Sequence, residues 1–190
     1  MSIDILKNYK DKVIPFFKKE YKYKNSMQMP RIVYVSFNIG LGKIAKSASN
    51  AKDFVKTVKE DIANIVGQIP SITKAKKSIA GFNLNENDIT GMKATLRGKN
   101  MIDFLERLVN IALPRVRDFS GISEKSFDEH GNLNIGISEY TIFPELGIGK
   151  EGEKVRKNLG AQINIITSAN NRKEGIALFK QLGFPLVEDN

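Results

Sequence analysis

The chain has 190 residues, no cysteine, no tryptophan and a single histidine, and its 30 Lys and Arg against 21 Asp and Glu leave a net charge of +9. That length is one domain or at most two, and it can bury roughly 70% of its extended surface without a metal or disulfide. The missing cysteines exclude disulfides, thiolate metal sites and a cysteine nucleophile, and they fit a reducing compartment. One histidine excludes multi-histidine metal sites. The charge is uneven: residues 1–114 hold 20 basic and 10 acidic side chains. Such an excess attracts a polyanion, either nucleic acid or an anionic membrane surface. The plainer alternative is a basicity that serves solubility alone. No run approaches the 18 or more apolar residues that span a bilayer, and Asp4, Lys7, Lys10 and Asp11 break up the N-terminus as a signal peptide. The chain reads as compact, cytoplasmic and free of membrane segments.

Residues 3 to about 20 have the apolar spacing of an amphipathic helix (Ile3, Leu6, Val13, Phe16, Phe17), with Pro15 marking a kink or an end. Lys7, Lys10, Lys12, Lys18, Lys19, Lys22 and Lys24 make residues 1–24 a basic arm. Asn25 to Pro30 connects it to an alternating strand, Arg31–Ile39. There Val33, Val35, Phe37 and Ile39 form the buried face, opposite Tyr34, Ser36 and Asn38. Gly40–Leu41–Gly42 ends it. A second helix is predicted over about 50–66, with Ala51, Val55, Val58, Ile62 and Ile65 as its stripe and Gly67 as its stop. Pro70–Lys77 and Met92–Arg97 are predicted strands around an exposed loop; loop and base together span about 73–91. Residues 81–91 carry few apolar anchors and are expected to be mobile in the free protein. Asn100 is the expected cap of a third helix with the stripe Met101, Phe104 or Leu105, Leu108 and Ile111 or Ala112, ended by Pro114. Phe119–Asp128 reads as irregular, His130–Gly131–Asn132 as a turn, Leu133–Ile137 and Ile142–Phe143 as strand pieces, and Gln162–Thr167 as a strand. Leu146–Lys157 is Gly-rich and charged. Asn171 and Glu174 form a capping box for a last helix, Arg172–Leu182, stopped by Gly183. The sum is an α+β fold in a single domain, 1–190: a mainly antiparallel sheet with helices packed on one face and an RNA-binding face left over.

Enzymatic chemistry finds little purchase. Gly40–Leu41–Gly42–Lys43 follows a strand, but a phosphate loop needs G-x-x-x-x-G-K-[ST]; Phe37 stands at the first glycine and Ile44 at the hydroxyl. These glycines read as a strand exit, or as room for backbone to approach an RNA phosphate. His130 reads as an exposed turn residue, and Asp103 and Glu106 as the solvent face of a helix. Arg115 and Arg117 are candidates for internal pairing with Asp118 or Glu124. No metal or cofactor is implied. By contrast, Thr73, Lys74, Lys76, Lys77 and Ser78 set lysines and hydroxyls beside the loop, with Lys93, Arg97 and Lys99 near the adjoining strand. Such groups position phosphates. Tyr21, Tyr23 and Tyr34 are candidates for stacking on unpaired bases.

Several ordered strings carry a family resemblance. They are Met27–Gln28–Met29–Pro30–Arg31; Phe37–Asn38–Ile39–Gly40–Leu41–Gly42; Ile72 through Phe82; Thr95–Leu96–Arg97–Gly98; Phe104–Leu105–Glu106–Arg107–Leu108; Ala112 through Phe119; Gly131–Asn132; and Ile142–Phe143–Pro144–Glu145. Over almost its whole length the chain resembles the bacterial-type large-subunit ribosomal protein family that binds 5S rRNA, the fifth in the large-subunit numbering. The resemblance implies a non-enzymatic protein of the central protuberance, in the cytoplasm with the ribosome. Its implied partners are 5S rRNA, large-subunit rRNA and neighbouring large-subunit proteins, the peptidyl-site tRNA, and a small-subunit head protein across an intersubunit bridge. Carried onto this chain, together with the basic and aromatic positions above, the rRNA surface is Asn25, Met27, Gln28, Tyr34, Asn38, Gly40, Lys93 and Arg97. The tRNA-facing loop has Thr73, Lys74, Lys76, Lys77 and Ser78 at its base. The sequence departs from the family pattern at Asn83–Gly91, which is neutral to acidic, and at Phe127–Leu133 and Leu159–Gln162. The runner-up from another class is an RNA-processing or nucleotide-using enzyme, and a third is a protein-interaction domain.

Overall fold

The computed structural model describes residues 3–42, 51–117, 119–146 and 159–187. Its elements in chain order are α1 (Ile5–Asn8), a π-turn (Tyr9–Val13), α2 (Ile14–Glu20), β1 (Ile32–Gly40), α3 (Ala51–Val66), β2 (Ser71–Lys74), β3 (Ile89–Leu96), α4 (Gly98–Arg107), β4 (Ile122–Ser123), β5 (Leu133–Ile137), β6 (Ala161–Thr167), α5 (Arg172–Leu182) and β7 (Leu186–Val187). Five strands form a mainly antiparallel sheet in the order β2-β3-β1-β6-β5, and β4 pairs with β7 in parallel. The fold is α+β, as the alternation of elements predicts. The backbone divides into two compact units, one of residues up to 35, 96–135 and from 163 onward, the other of 36–95 and 136–162.

In the first unit, Pro15 explains the π-turn. Proline lacks an N–H, and its ring collides with the carbonyl four residues back in a regular helix. The chain widens by one residue just before it: the Ile14 N–H reaches the Tyr9 carbonyl, five residues back, and Pro15 then opens α2. A second π-turn, Leu108–Ala112, follows α4 and shifts its phase. Phe104, Leu105, Leu108, Val109 and Ala112 are buried, while Ile111 turns outward. Asn100 is not the cap. The cap lies three residues earlier, at Arg97, and the helix starts at Gly98, which takes a positive φ of 58°. The last helix follows its capping box closely. The Asn171 side chain accepts from the Glu174 N–H at 2.9 Å, and the Glu174 carboxylate accepts from the Asn170 N–H at 3.0 Å. Glu174 is buried and also accepts from the Tyr23 hydroxyl at 3.1 Å.

The turn before β5 is built around Asp128. Its carboxylate accepts from the N–H groups of His130 and Asn132 and from the Asn132 amide, at 3.0, 2.8 and 2.7 Å. The Asn132 side chain in turn accepts from the Thr167 N–H at the end of β6, at 2.9 Å. Gly131 lies so close to Gly175 of α5 that a Cβ on either would strike the other's backbone. Gly131 and Asn132 therefore serve packing, which their place in the sequence strings does not disclose.

In the second unit, Val55, Val58, Ile62, Ile65 and Val66 are the buried stripe of α3, with Gly67 at φ 74° after it. Asp61 is buried on the same helix and accepts from the hydroxyl of fully buried Tyr140 at 3.0 Å. Ile142–Phe143 is no strand: Tyr140–Ile142 is a 3-10 turn, and Phe143 packs edge-on against Phe37 with ring centroids 6.0 Å apart. The predicted strand Pro70–Lys77 shortens to Ser71–Lys74 because β2 is an exposed edge with one partner, β3.

Burial pushes the Asp128 carboxyl up, but the hydrogen bonds from the Asn132 side chain and backbone and from the His130 backbone outweigh it and hold the group below the usual carboxylate value. A depressed folded-state value stabilises the fold above the ordinary carboxylate range, and that contribution is lost as pH falls through the folded value. Asp128→Ala should therefore cost about 1–2 kcal/mol at neutral pH. Measured by urea midpoints, the gap to the parent protein should close as pH drops below the ordinary carboxylate range. A gap independent of pH would contradict this origin.

Candidate nucleic-acid interface

The second half of β1 supplies a two-faced row. Phe37 and Ile39 are buried, while Asn38 is half-buried and Gly40 exposed. Ser36 donates its hydroxyl to the Asn38 side-chain oxygen at 3.2 Å, which fixes the amide's orientation. Asn38 and Gly40 line an open depression with Gly136, Ser138, Gly160 and Gln162. A Cβ built on Gly40 or Gly136 meets nothing within 4 Å. The floor is thus bare backbone with polar side chains at its rim, a surface that a sugar-phosphate chain can approach closely.

In the same unit, Ser71 and Thr73 of β2 stand opposite Lys93 and Gly91 of β3, so all four share a face. Lys93 is exposed there, and Ser71 donates to its carbonyl at 3.0 Å. The register slips between Thr73 and Lys74, leaving Thr90 as the extra residue. The Thr90 hydroxyl reaches the Thr73 carbonyl at 3.0 Å and the Thr73 hydroxyl at 3.2 Å.

Beyond the slip, the chain makes a hydrogen-bonded hairpin. The Ala75 N–H donates to Asp88 and the Asn87 N–H back to Ala75; Ile79 and Leu84 exchange both backbone bonds. Glu86 donates its N–H to the Ser78 hydroxyl, and Asn85 to the Asp88 carboxylate, each at 2.9 Å. Asn83 and Asn87 take φ of 49° and 67°, a left-handed conformation that asparagine tolerates. Scarce apolar burial motivates the expectation of a mobile loop; the hairpin meets its backbone polar groups within itself. Lys74, Lys76 and Lys77 are exposed at its base. Thr73 and Ser78 are also exposed, and their hydroxyl oxygens accept hydrogen bonds from Thr90 and Glu86 within the hairpin.

In the first unit, Asn25 caps the short 3-10 turn Ser26–Gln28 by accepting from the Met27 N–H at 3.0 Å. Asn25, Met27 and Gln28 are all exposed, Met27 at 79%. Tyr34 and Arg97 meet, with the guanidinium 5.1 Å from the ring centroid, so one face of that ring is already covered. Tyr21 and Tyr23 belong to an aromatic stack with Phe17: Phe17–Tyr21 at 4.9 Å and Tyr21–Tyr23 at 6.3 Å. Within the chain these rings pack on one another, and Tyr21 keeps an exposed side. Val33 is 43% exposed, unlike Val35, Phe37 and Ile39 on the same face of β1. Asn164 donates its amide to Asn134 on the neighbouring strand. Asn134, Asn164 and Gln162 were missed as outward polar positions; the two-residue period of β5 and β6, extended from the buried isoleucines, locates all three.

His130 is exposed in the Asp128 turn, and no cluster of three or more metal-ligating side chains occurs among the described residues. Lys43, Asp118 and residues 147–157 lie outside the described residues.

Two family models match the chain: "Ribosomal protein L5" over residues 25–85, and the model for the C-terminus of the same ribosomal protein family over residues 89–186. Large ribosomal subunit protein uL5 of Trichodesmium erythraeum is 45% identical, covering 97% of this chain and 98% of that protein. The uL5c protein of Gracilaria tenuistipitata var. liui is 44% identical, over 94% and 96%. The uL5 protein of Halothermothrix orenii is 43% identical, over 95% and 97%. With both matches in order along one chain and relatives alike from end to end, the chain belongs to the uL5 family, as a structural, non-enzymatic, rRNA-binding constituent of the large subunit of the cytoplasmic ribosome.

Proposed function

We propose that the rRNA held by this protein is 5S rRNA in the central protuberance, and that the hairpin over 73–91 contacts the peptidyl-site tRNA. The observation that carries the first part is the outward row of β1: Asn38 oriented by Ser36, beside the bare backbone of Gly40. Asn25, Met27 and Gln28 on their exposed turn, Lys93, and the Tyr34–Arg97 pair extend the rRNA-binding set. Polar side chains and backbone amides fix register there, and the cations neutralise phosphates. For the second part, Lys74, Lys76 and Lys77 carry the tRNA contact. Glu86 and Asp88 deny the tip a positive charge, and a carboxylate facing a phosphate is repelled. An intersubunit bridge to a small-subunit head protein is part of the same reading, supported by the family resemblance. The reading treats residues 1–190 as one domain, because β1, β3, β5 and β6 each carry residues of both units.

The protein should bind its own 5S rRNA in strong preference to an unrelated hairpin of similar length. Affinity should fall linearly on a log–log plot against salt as phosphate counterions are released. Filter binding at two salt concentrations measures both effects, and equal affinity for the two RNAs at physiological salt would refute specificity.

The two surfaces should also separate by mutation. Asn38→Ala should weaken 5S rRNA binding by about 1–3 kcal/mol through loss of a buried polar contact. The triple change Lys74→Ala, Lys76→Ala, Lys77→Ala should keep most of that affinity and lower peptidyl-site tRNA retention on reconstituted ribosomes. Loss of 5S rRNA binding by the triple variant as large as that from Asn38→Ala would show the surfaces to be assigned wrongly.

A further inference from the structure

One cavity shares Met27 with the proposed rRNA surface and is otherwise separate from it. It lies in the first unit, has a volume of about 310 Å³, and is walled by Ile5, Leu6, Tyr9, Met27, Met29 and Met101, among other apolar side chains. That volume is at the lower end for small-ligand pockets, roughly 300–1,000 Å³. Its rim is open: Leu6 is 54% and Met27 79% exposed. Three residues with polar side chains, Tyr9, Ser26 and Arg31, are among its lining. Among the described residues none of the three makes a side-chain hydrogen bond. Burial pushes the Tyr9 phenol up, and the nearby Arg31 guanidinium offsets that only in part. The pocket is thus mainly apolar, with Tyr9, Ser26 and Arg31 in its lining, and it takes Ser26 and Met27 from the Asn25–Gln28 turn.

We propose that this pocket receives an unpaired base of the bound rRNA, extruded from its stack. The inference rests on the reading that the Asn25–Gln28 turn meets 5S rRNA, and it deepens that reading by naming the ligand as a nucleobase. An apolar slot lined by polarizable thioethers suits the face of a base, and hydroxyl and guanidinium donors suit acceptors on its edge. The segment that supplies most of the lining is basic: residues 1–31 carry eight basic and three acidic side chains, against Asp103 and Glu106 on the helix that supplies Met101 and Leu105. A polyanion is drawn to that surface, and a base is the part of RNA that an apolar pocket accepts. A protein side chain is the competing occupant.

Methionine methyl NMR on the full chain tests this. Met27, Met29 and Met101 line the pocket, and Met92 does not. On adding the protein's own 5S rRNA, the first three methyls should show ring-current shifts and intermolecular NOEs to base protons, and Met92 should not. Leu6→Trp, which plugs the rim, should weaken 5S rRNA binding roughly tenfold or more with the salt slope unchanged, because no phosphate contact is lost. Tight 5S rRNA binding with the three pocket methyls unmoved would overturn the inference and leave the 5S reading standing. So would methyl shifts that appear only when purified large-subunit proteins are added, which would assign the pocket to a protein segment. Absence of 5S rRNA binding by the unmodified chain would overturn both readings.

Discussion

The two-residue period of β1 is the constraint on which the rest depends. A strand sends alternate side chains to opposite faces, so burying Val35, Phe37 and Ile39 obliges Tyr34, Ser36, Asn38 and Gly40 to face the other way; Ser36 is buried there, which leaves Tyr34, Asn38 and Gly40 accessible. A slip of one residue would put phenylalanine on the outward face and asparagine in the core. The residues that fill the core thereby also determine which polar groups are offered to RNA. The pattern recurs in β6, where Ala161, Ile163, Ile165 and Thr167 are buried and Gln162 is exposed, and in β5, where Gly136 is exposed between two buried isoleucines.

The outward surface is polar rather than strongly cationic. Asn38 is held by Ser36, Asn164 pairs with Asn134, and glycines leave the backbone bare. The lysines gather elsewhere, on the N-terminal arm and at the base of the hairpin. This division suits a scaffold protein. Amides, hydroxyls and bare backbone read shape and fix register, whereas lysines supply attraction that tolerates many geometries. The hairpin shows how one residue can serve the fold and a surface together. Thr73 and Ser78 accept hydrogen bonds that hold the turn, and both stay exposed beside Lys74, Lys76 and Lys77.

Much of this was legible in the residues. The Asn171–Glu174 box and Gly183 delimit α5 to the residue, because a cap and a positive φ are local demands. The stripe of α3 and the alternation of β1 were equally plain, being periodic over many residues. The failures have physical causes. Each π-turn inserts a residue, which is why the period left Ile111 and Ala112 as alternatives; Ala112 is the buried one and Ile111 faces out. The two-residue strands β4 and β7 are too short to show any period, and Ile142–Phe143 has strand-like residues in a turn held by buried Tyr140 and Phe143. Val33 continues the buried row in sequence but is largely exposed. In the candidate site, the family strings brought Asn25, Met27, Gln28 and Asn38 to notice, but the Met-lined pocket beside them joins residues more than 70 positions apart in the chain, a juxtaposition that only folding creates.

The central claim is that the outward row of β1 and the Asn25–Gln28 turn hold 5S rRNA while the hairpin does not. Amide hydrogen exchange, followed by mass spectrometry on the full chain with and without its 5S rRNA, addresses this most directly. The account predicts slowed exchange over residues 25–28 and 36–40 and unchanged exchange over 75–88. Protection confined to the hairpin, with the β1 row and the turn unaffected, would contradict it.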